Sequence, residues 1–294
     1  MLSLLIPTVA QGLLWALMAL GVYVTFRVLD IADLTVEGSF PLGAATAASM
    51  MVAGFGPLTA LLAAFVAGML AGVVTGLLHT KMKIPALLAG ILTMIALYSV
   101  NLRIMGKANL SLLGVDTAFK IAKSALDLSM AQTTLVVGLA ATLIVGFFMY
   151  WFFGTQIGAA IRATGFNQQM IRAQGVDTDV TIILGLLLSN GLVAVSGALV
   201  AQSNGFSDVG MGTGTIVIGL ASVIIGEVLF GTRSFKNCLI SVVLGSIVYR
   251  IVIAAVLAMG MPPNDLKLFT SVLVALALSM PLIKAKMGGR KAVR

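Results

Sequence analysis

The run LVVGLAATLIVGFFMYWFF, residues Leu135–Phe153, decides the fold class. It carries no charged residue and shows no alternation of polar and apolar positions. A strand with one wet face would alternate with period two, as would a strand of a membrane barrel. At 1.5 Å per residue a helix over this run is about 28 Å long, close to the thickness of a bilayer's hydrocarbon core. In hydrocarbon an unpaired backbone group costs several kcal/mol, so an unalternating run of this length reads as a membrane-spanning helix. Gly214–Gly231 has the same character.

The whole chain agrees with that run. Of its 294 residues 60% are hydrophobic and 10% charged, with a mean hydropathy of +1.11. A water-soluble domain of this length needs far more charge to cover its surface. The reading is therefore an all-α, polytopic transmembrane bundle without a soluble domain. Segments fall near 4–27, 40–54, 57–79, 85–104, 132–153, 179–201, 213–231, 238–258 and 266–283, about nine in all within a range of eight to ten. The first, Met1–Arg27, lacks a basic leader region and reads as a retained span.

Two stretches depart from ordinary spans. The second segment holds about 15 apolar residues from Phe40 to Gly54, near 22 Å of helix, which cannot cross alone. The preceding Asp30–Ser39 is expected to enter the membrane edge as partly unwound chain. Ser39 is a natural N-cap there, and Pro41 suits a first helical turn. Discontinuous helices of this kind occur where backbone lines a cavity instead of facing lipid. The other stretch, Gln202–Gly214, is a glycine-rich, re-entrant turn between two apolar segments.

Loop charges set the orientation. With the N-terminus outside and nine segments, the inside holds Arg27, Lys81, Lys83, Arg162, Arg172, Arg233, Lys236, Lys284, Lys286, Arg290, Lys291 and Arg294. The outside holds Arg103, Lys107, Lys120, Lys123, Arg250 and Lys267. Twelve against six satisfies the positive-inside rule, and Tyr150-Trp151 sits at an inner interface where amphipathic rings collect. The net charge of +8 thus reads as topology, and nucleic acid is not an expected partner.

Absences narrow the chemistry. No G-x-x-x-x-G-K-[ST] occurs, and Gly210–Gly214 lacks the following lysine of a phosphate loop. His79 is the single histidine, which leaves neither a histidine metal cluster nor a histidine-based triad. The lone Cys238 reads as a small buried hydrophobe, and the sixteen methionines as span filler. No cofactor is expected on this chain. Gly68, Gly72 and Gly76 form two overlapping G-x-x-x-G units, a face for close helix packing, with a partner inside the chain preferred to a second copy.

Asp33, Thr35, Glu37 and Ser39 in the broken segment, with Asn204 and Asp208 from the glycine-rich turn, are the candidates for lining a substrate path. Intramembrane acids are costly and need a reason. For Asp33 and Glu37 two readings stay open, solvation at the cytoplasmic edge with pairing to Arg27, or a place on the path. Glu227 reads as snorkelling to the inner surface. Asn101 and Arg103 read as groups near the outer end of the fourth span. The inner loop, 154–178, carries Asn167, a good N-cap, and Gly175, a good residue to follow a helix. That describes a short helix of about two turns lying between two spans.

This loop resembles the coupling loop of ABC importer permeases of the branched-chain amino acid and simple-sugar group. The likeness runs through Ile161, Ala163, Gly165, Asn167, Arg172, Gly175 and Val176, and departs at Gln169 and Met170, where the group often has small residues. Asp33–Ser39 is similar to the stretch after the first spans of the sugar permeases, with one residue more. Phe26–Asp30, Asp33–Gly43, Ala89–Met94 and Asn101–Gly106 look most like tryptophan/tyrosine-type uptake permeases. The resemblance implies a permease in a prokaryotic plasma (inner) membrane with a cytoplasmic C-terminus. It implies two copies around one pathway, a cytoplasmic ABC ATPase dimer docked on Arg162, Gly165, Asn167, Arg172 and Gly175, and an extracytoplasmic solute-binding protein. It implies an aromatic or branched-chain amino acid as cargo, with a sugar or nucleoside as the alternative, and no covalent chemistry on this chain. A stand-alone secondary transporter is the rival class, although the spans hold few ionisable residues away from 30–37.

Overall fold

The computed structural model describes residues 2–260 and, beyond them, 262, 265, 268–272, 274–276 and 279. The segment expected at 266–283 and the basic C-terminal tail lie largely outside the described residues. The long helices are α1 (Leu2–Tyr23), α2 (Val36–Val52), α3 (Pro57–Thr80) and α4 (Ala86–Met105). After a strand β1 (Asn109–Ser111) and a short α5 (Ala118–Leu126) comes α6 (Met130–Gly154). Two short helices, α7 (Gln156–Phe166) and α8 (Gln168–Ala173), lead into α9 (Thr178–Asn204). Strand β2 (Phe206–Asp208), a 3-10 turn at Val209–Gly212, α10 (Thr215–Phe230) and α11 (Phe235–Ala258) follow. Among the described residues, seven helical segments are long and apolar enough to cross a membrane, and α2, with 17 residues, is a shorter one beside them.

Helix α9 is the axis of the bundle, with α1, α2 and α3 packed around it. Lipid tails are as apolar as leucine, so what holds such helices together is close packing rather than hydrophobic expulsion. The glycine stripe of α3 supplies it. A Cβ at Gly68 would lie 2.4 Å from the Asn190 carbonyl oxygen, one at Gly72 2.3 Å from that of Leu186, and one at Gly76 2.9 Å from Ile183. The stripe therefore serves an intrachain contact. Helix α6 stands at the periphery, with Leu143, Ile144 and Phe147 exposed, and touches mainly α1.

Polar caps mark where helices leave the apolar layer. Ser129 and Gln132 form a reciprocal capping box at α6, and Thr155, Asn167, Asp177 and Ser234 cap α7, α8, α9 and α11. The loops gather at two ends. At one end Arg27 forks onto Glu227, and Asp179 meets Lys81 at 3.3 Å and Arg172 at 3.1 Å. At the other, β1 pairs antiparallel with β2, Asn109 opposite Asp208, and the Ala118 N–H donates to Gln202 Oε1 at 3.0 Å.

Four expectations change. Helix α2 begins a turn before Ser39, at Val36, with Thr35 in the cap position and no side chain capping it; the Asp33 carboxylate accepts the Thr35 N–H at 2.9 Å in the turn that leads in. Pro41 consequently lies inside the helix, where it leaves the Glu37 carbonyl without its usual donor. Gly212 packs on that carbonyl so closely that a Cβ would stand 2.0 Å from the oxygen. Arg27 pairs with neither Asp33 nor Glu37 but with Glu227, which is held rather than snorkelling free. Arg250 is not a loop charge: it lies within α11, its guanidinium 4.1 Å from the centre of the Trp15 ring. The glycine-rich turn, finally, is built from the end of α9, β2 and the 3-10 turn rather than from one loop.

Candidate functional site

Between α1 and α2 the chain unwinds in stages. Helix α1 widens into a π-turn over Val24–Val28, Asp30 adopts a left-handed backbone (φ +55°), and helix resumes only at Val36. Within the unwound piece Asp30 and Ala32 are exposed but Asp33 and Thr35 are buried, so the polar groups of these two need partners inside the protein. Asp33 is 2% exposed, and its second carboxylate oxygen accepts the Asn190 amide N–H at 2.8 Å. The other amide hydrogen of Asn190 goes to the Leu186 carbonyl at 3.0 Å, and its Oδ1 accepts the Ser39 hydroxyl at 2.7 Å. Every hydrogen-bonding group of that amide is in use.

A second strand of bonds ties Thr35 outward. Its hydroxyl lies 2.7 Å from that of Thr75, Thr75 donates to Thr93 at 3.0 Å, and Thr93 to the Ala89 carbonyl at 3.0 Å. Thr75 also lies 3.3 Å from the Ala71 carbonyl, so the three hydroxyls link Thr35 to the backbones of both α3 and α4. Gly90 lets α4 approach, for a Cβ there would lie 2.8 Å from the Leu34 nitrogen. The unwound segment is thus bolted to α3, α4 and α9.

On the other side of α2 lies a cavity of about 390 Å³. Glu37, Tyr98 and Asn101 bring polar groups to it, while Pro41, Met94, Ile95 and Val209 make apolar wall. Glu37 Oε1 accepts the Gly214 N–H at 3.0 Å. Asn101 is fully buried and donates to the Gly38 carbonyl at 3.3 Å, while its Oδ1 has no protein partner. An acceptor without a partner beside a carboxylate and an open space can receive a donor from a bound molecule.

The third element is the elbow α7–α8. The Asn167 side chain accepts the Met170 N–H at 3.0 Å, and Gly175 follows α8 with φ +87°. The elbow is fastened below by Arg172, which bonds Thr178 and Asp179. Above, Gly165 rests on the bend: a Cβ would lie 1.9 Å from the Val28 carbonyl oxygen and 2.8 Å from the Leu29 Cα. Phe166 (93% exposed) and Met170 project away from the spans. An apolar side chain so bare at a loop corner, beside a capped short helix, is suited to contact with another protein.

With the geometry in place, comparison with known proteins is direct. Residues 4–279 match the family described as branched-chain amino acid transport system, permease component. The chain belongs to that permease family. A tyrosine transport system permease protein of Clostridioides difficile is 41% identical to it over 273 residues, covering 93% of this chain and 90% of the relative. The galactofuranose transporter permease YtfT of Escherichia coli is 31% identical, covering 90% and 75%. Among solved structures, an inward-facing metal-chelate type ABC transporter aligns with a TM-score of 0.51 at 16% identity, over 96% of this chain and 85% of that one, a likeness of fold. The protein is a multi-pass ABC transporter permease, a transport component.

Of the residues singled out in the permease's sequence, Glu37 lines the cavity, whereas Asp33, Thr35 and Ser39 stand behind it, fully buried and bonded to other spans. Asn204 ends α9, exposed, and Asp208 lies in β2, with Asn109 Nδ2 3.3 Å from its carboxylate and the Gly210 N–H at 2.7 Å. Arg162 is exposed on α7 with its guanidinium 5.3 Å from the Phe235 ring centre. Sequence reasoning passed over Asn190, Thr75 and Thr93. Asn190 alone carried a signal, an amide midway along an apolar run, which must find a partner. Threonines are common in spans, and nothing local distinguishes these two.

Proposed function

We propose that this permease imports a small amphipathic amino acid, aromatic or branched in its side chain, as one of two identical copies around a shared pathway. A cytoplasmic ABC ATPase dimer docks on the α7–α8 elbows, and an extracytoplasmic solute-binding protein delivers the cargo. The seven bases Arg27, Lys81, Lys83, Arg162, Arg172, Arg233 and Lys236 gather at the elbow end, against Arg103, Lys107, Lys120 and Lys123 at the other. That bias supports a cytoplasmic elbow and an N-terminus outside, in a prokaryotic plasma membrane.

The observation that carries the reading is a continuous line of contact from elbow to cavity. Phe166 and Met170 offer the docking point, Gly165 bears on Val28–Leu29, the segment 29–35 is bolted to α3, α4 and α9, and Glu37 opens onto the cavity. A push on the elbow therefore meets the bend directly, and rigid elements carry it onward. Glu37 and the Asn101 Oδ1 are acceptors suited to an ammonium group, and Met94, Ile95 and Tyr98 are suited to an apolar or aromatic side chain. The tyrosine permease relative supports the same cargo class.

The test is ATP-driven uptake of radiolabelled tyrosine into proteoliposomes holding the permease with its co-purified ATPase and the binding protein. Uptake inhibited by phenylalanine or leucine and untouched by galactose or ribose is the expected result. Competition by the sugars alone would transfer the cargo assignment to them. A permease that purifies without a P-loop ATPase yet still transports would overturn the coupling assignment.

A further inference from the structure

Apart from the elbow and the Glu37 cavity, the permease carries a two-part groove on an exposed apolar face. The first part, about 390 Å³, runs between α6 and α11 and is walled by Leu143, Gly146, Phe147, Leu239, Ile240 and Val243. Its wall is almost wholly apolar until Lys236 and Tyr150 at the basic end of the bundle. The second part, about 380 Å³, begins at Tyr150, which lines both, and is bounded by Trp151, Thr155, Arg162 and Phe235. An apolar trough thus runs into a polar, cationic pocket at the level where the helices end.

Two cations border the groove, Lys236 on its first part and Arg162 on its second. Ion pairs among the described residues engage Arg27, Lys81, Lys83 and Arg172, while Arg162 and Lys236 stand in none. Arg162 is nonetheless held in place over the Phe235 ring. Around the groove α6 exposes Leu143, Ile144 and Phe147, with Tyr150 and Trp151 at its end. This is the apolar band and aromatic belt of a surface that faces bilayer.

We infer that the groove binds an anionic phospholipid, its acyl chain lying between α6 and α11 and its phosphate held by Arg162 and Lys236. Basic pockets at the headgroup level between spans suit such lipids, and the charge complementarity here is two cations facing one phosphodiester. Gly146 borders the open trough, since a Cβ added there would meet no atom within 4 Å. The bound lipid would brace α7, the helix that bears Gly165, against the start of α11.

The experiment is native mass spectrometry of the purified full chain titrated with phosphatidylglycerol or phosphatidylcholine. Each basic residue near an anionic lipid contributes on the order of five-fold to affinity, so the wild type should prefer phosphatidylglycerol by roughly 25-fold. Arg162→Gln and Lys236→Gln should each remove about five-fold of that preference, and the double variant should bind both lipids nearly alike. Gly146→Phe, which fills the trough, should weaken both lipids without changing their ratio. All these positions lie at the surface or in open space, and circular dichroism checks that the variants fold. A preference unchanged in Arg162→Gln/Lys236→Gln overturns the headgroup assignment, and affinities unchanged in Gly146→Phe overturn the acyl site. A lipid-free dimer that Gly146→Phe dissociates would give the groove to a second copy instead.

Discussion

Asn190, midway along α9, donates to the carboxylate of Asp33 at 2.8 Å and accepts the hydroxyl of Ser39 at 2.7 Å. One amide thereby joins the unwound segment, the start of α2 and the central helix. An unpaired carboxylate in this setting would be costly, which is why the single amide of Asn190 matters to the fold.

Asn190→Leu removes that amide, leaving the Asp33 carboxylate one donor short and Ser39 without its acceptor. We expect a loss of about 3 kcal/mol in stability, read by thermal unfolding in detergent micelles. Asp33→Asn in the wild-type background should lose less, because a neutral amide leaves no buried charge behind. Equal losses in the two variants would contradict the arrangement.

Gly165→Ala should uncouple transport. The new Cβ would lie 1.9 Å from the Val28 carbonyl oxygen, against ordinary contact near 3.4–4 Å, so α7 must move off the bend. Uptake in proteoliposomes should fall at least about ten-fold while the ATPase still hydrolyses ATP, a loss worth about 1.4 kcal/mol in transmission. Gly56→Ala, where the nearest atom is 3.9 Å away, is the control and should transport normally.

Asp179→Asn tests how α8 is fastened. Asp179 faces Lys81, Lys83 and Arg172, whose side chains are more than half exposed, so each pair contributes at most about 1 kcal/mol. Global unfolding should hardly change. Hydrogen exchange of the amides in Gln168–Ala173 should quicken, and raising the salt concentration should have the same effect on the wild type.

Phe166→Asp should leave the melting temperature unaltered, because the side chain is 93% exposed and touches little of its own chain. Co-purification of the ATPase should drop sharply. Undiminished co-purification would remove Phe166 from the docking contact.

Gly72→Leu should prevent proper assembly of the bundle. A Cβ at that position already lies 2.3 Å from the Leu186 carbonyl oxygen, backbone that cannot rotate aside as a side chain can. Poor yield of monodisperse protein is expected, and normal yield would argue against the α3–α9 packing.

Much of this was legible in the chain. Long charge-free runs such as Leu135–Phe153 define spans by themselves, because the solvent leaves the backbone no other conformation. The shortness of the second segment foretold a break, and Asn167 and Gly175 foretold the limits of α8, since caps act through bonds within a few residues. The glycine stripe at 68, 72 and 76 announced close packing, and its spacing put the three on one face. The helix start at Val36 was not legible, because the Ser39 hydroxyl is spent on Asn190 of a distant span and the turn at Asp33–Thr35 starts the helix earlier. Arg27 found Glu227 instead of the acids near it in sequence, a choice made by the meeting of α1 with α10.

In this permease the run Leu135–Phe153 marks the boundary between the two kinds of information. Leu135–Phe153 needed no partner to be read as a helix, because hydrogen bonding in hydrocarbon is satisfied locally and length is set by the bilayer. Spans, ends and caps are properties of that sort, and the amino-acid order determines them. What only the tertiary structure decided is which distant groups meet: Asn190 with Asp33, Gly165 with Val28, Tyr150 with both halves of the lipid groove. Those pairings depend on how helices cross, and crossing is settled by side-chain volumes summed over whole faces, which no short stretch of sequence displays.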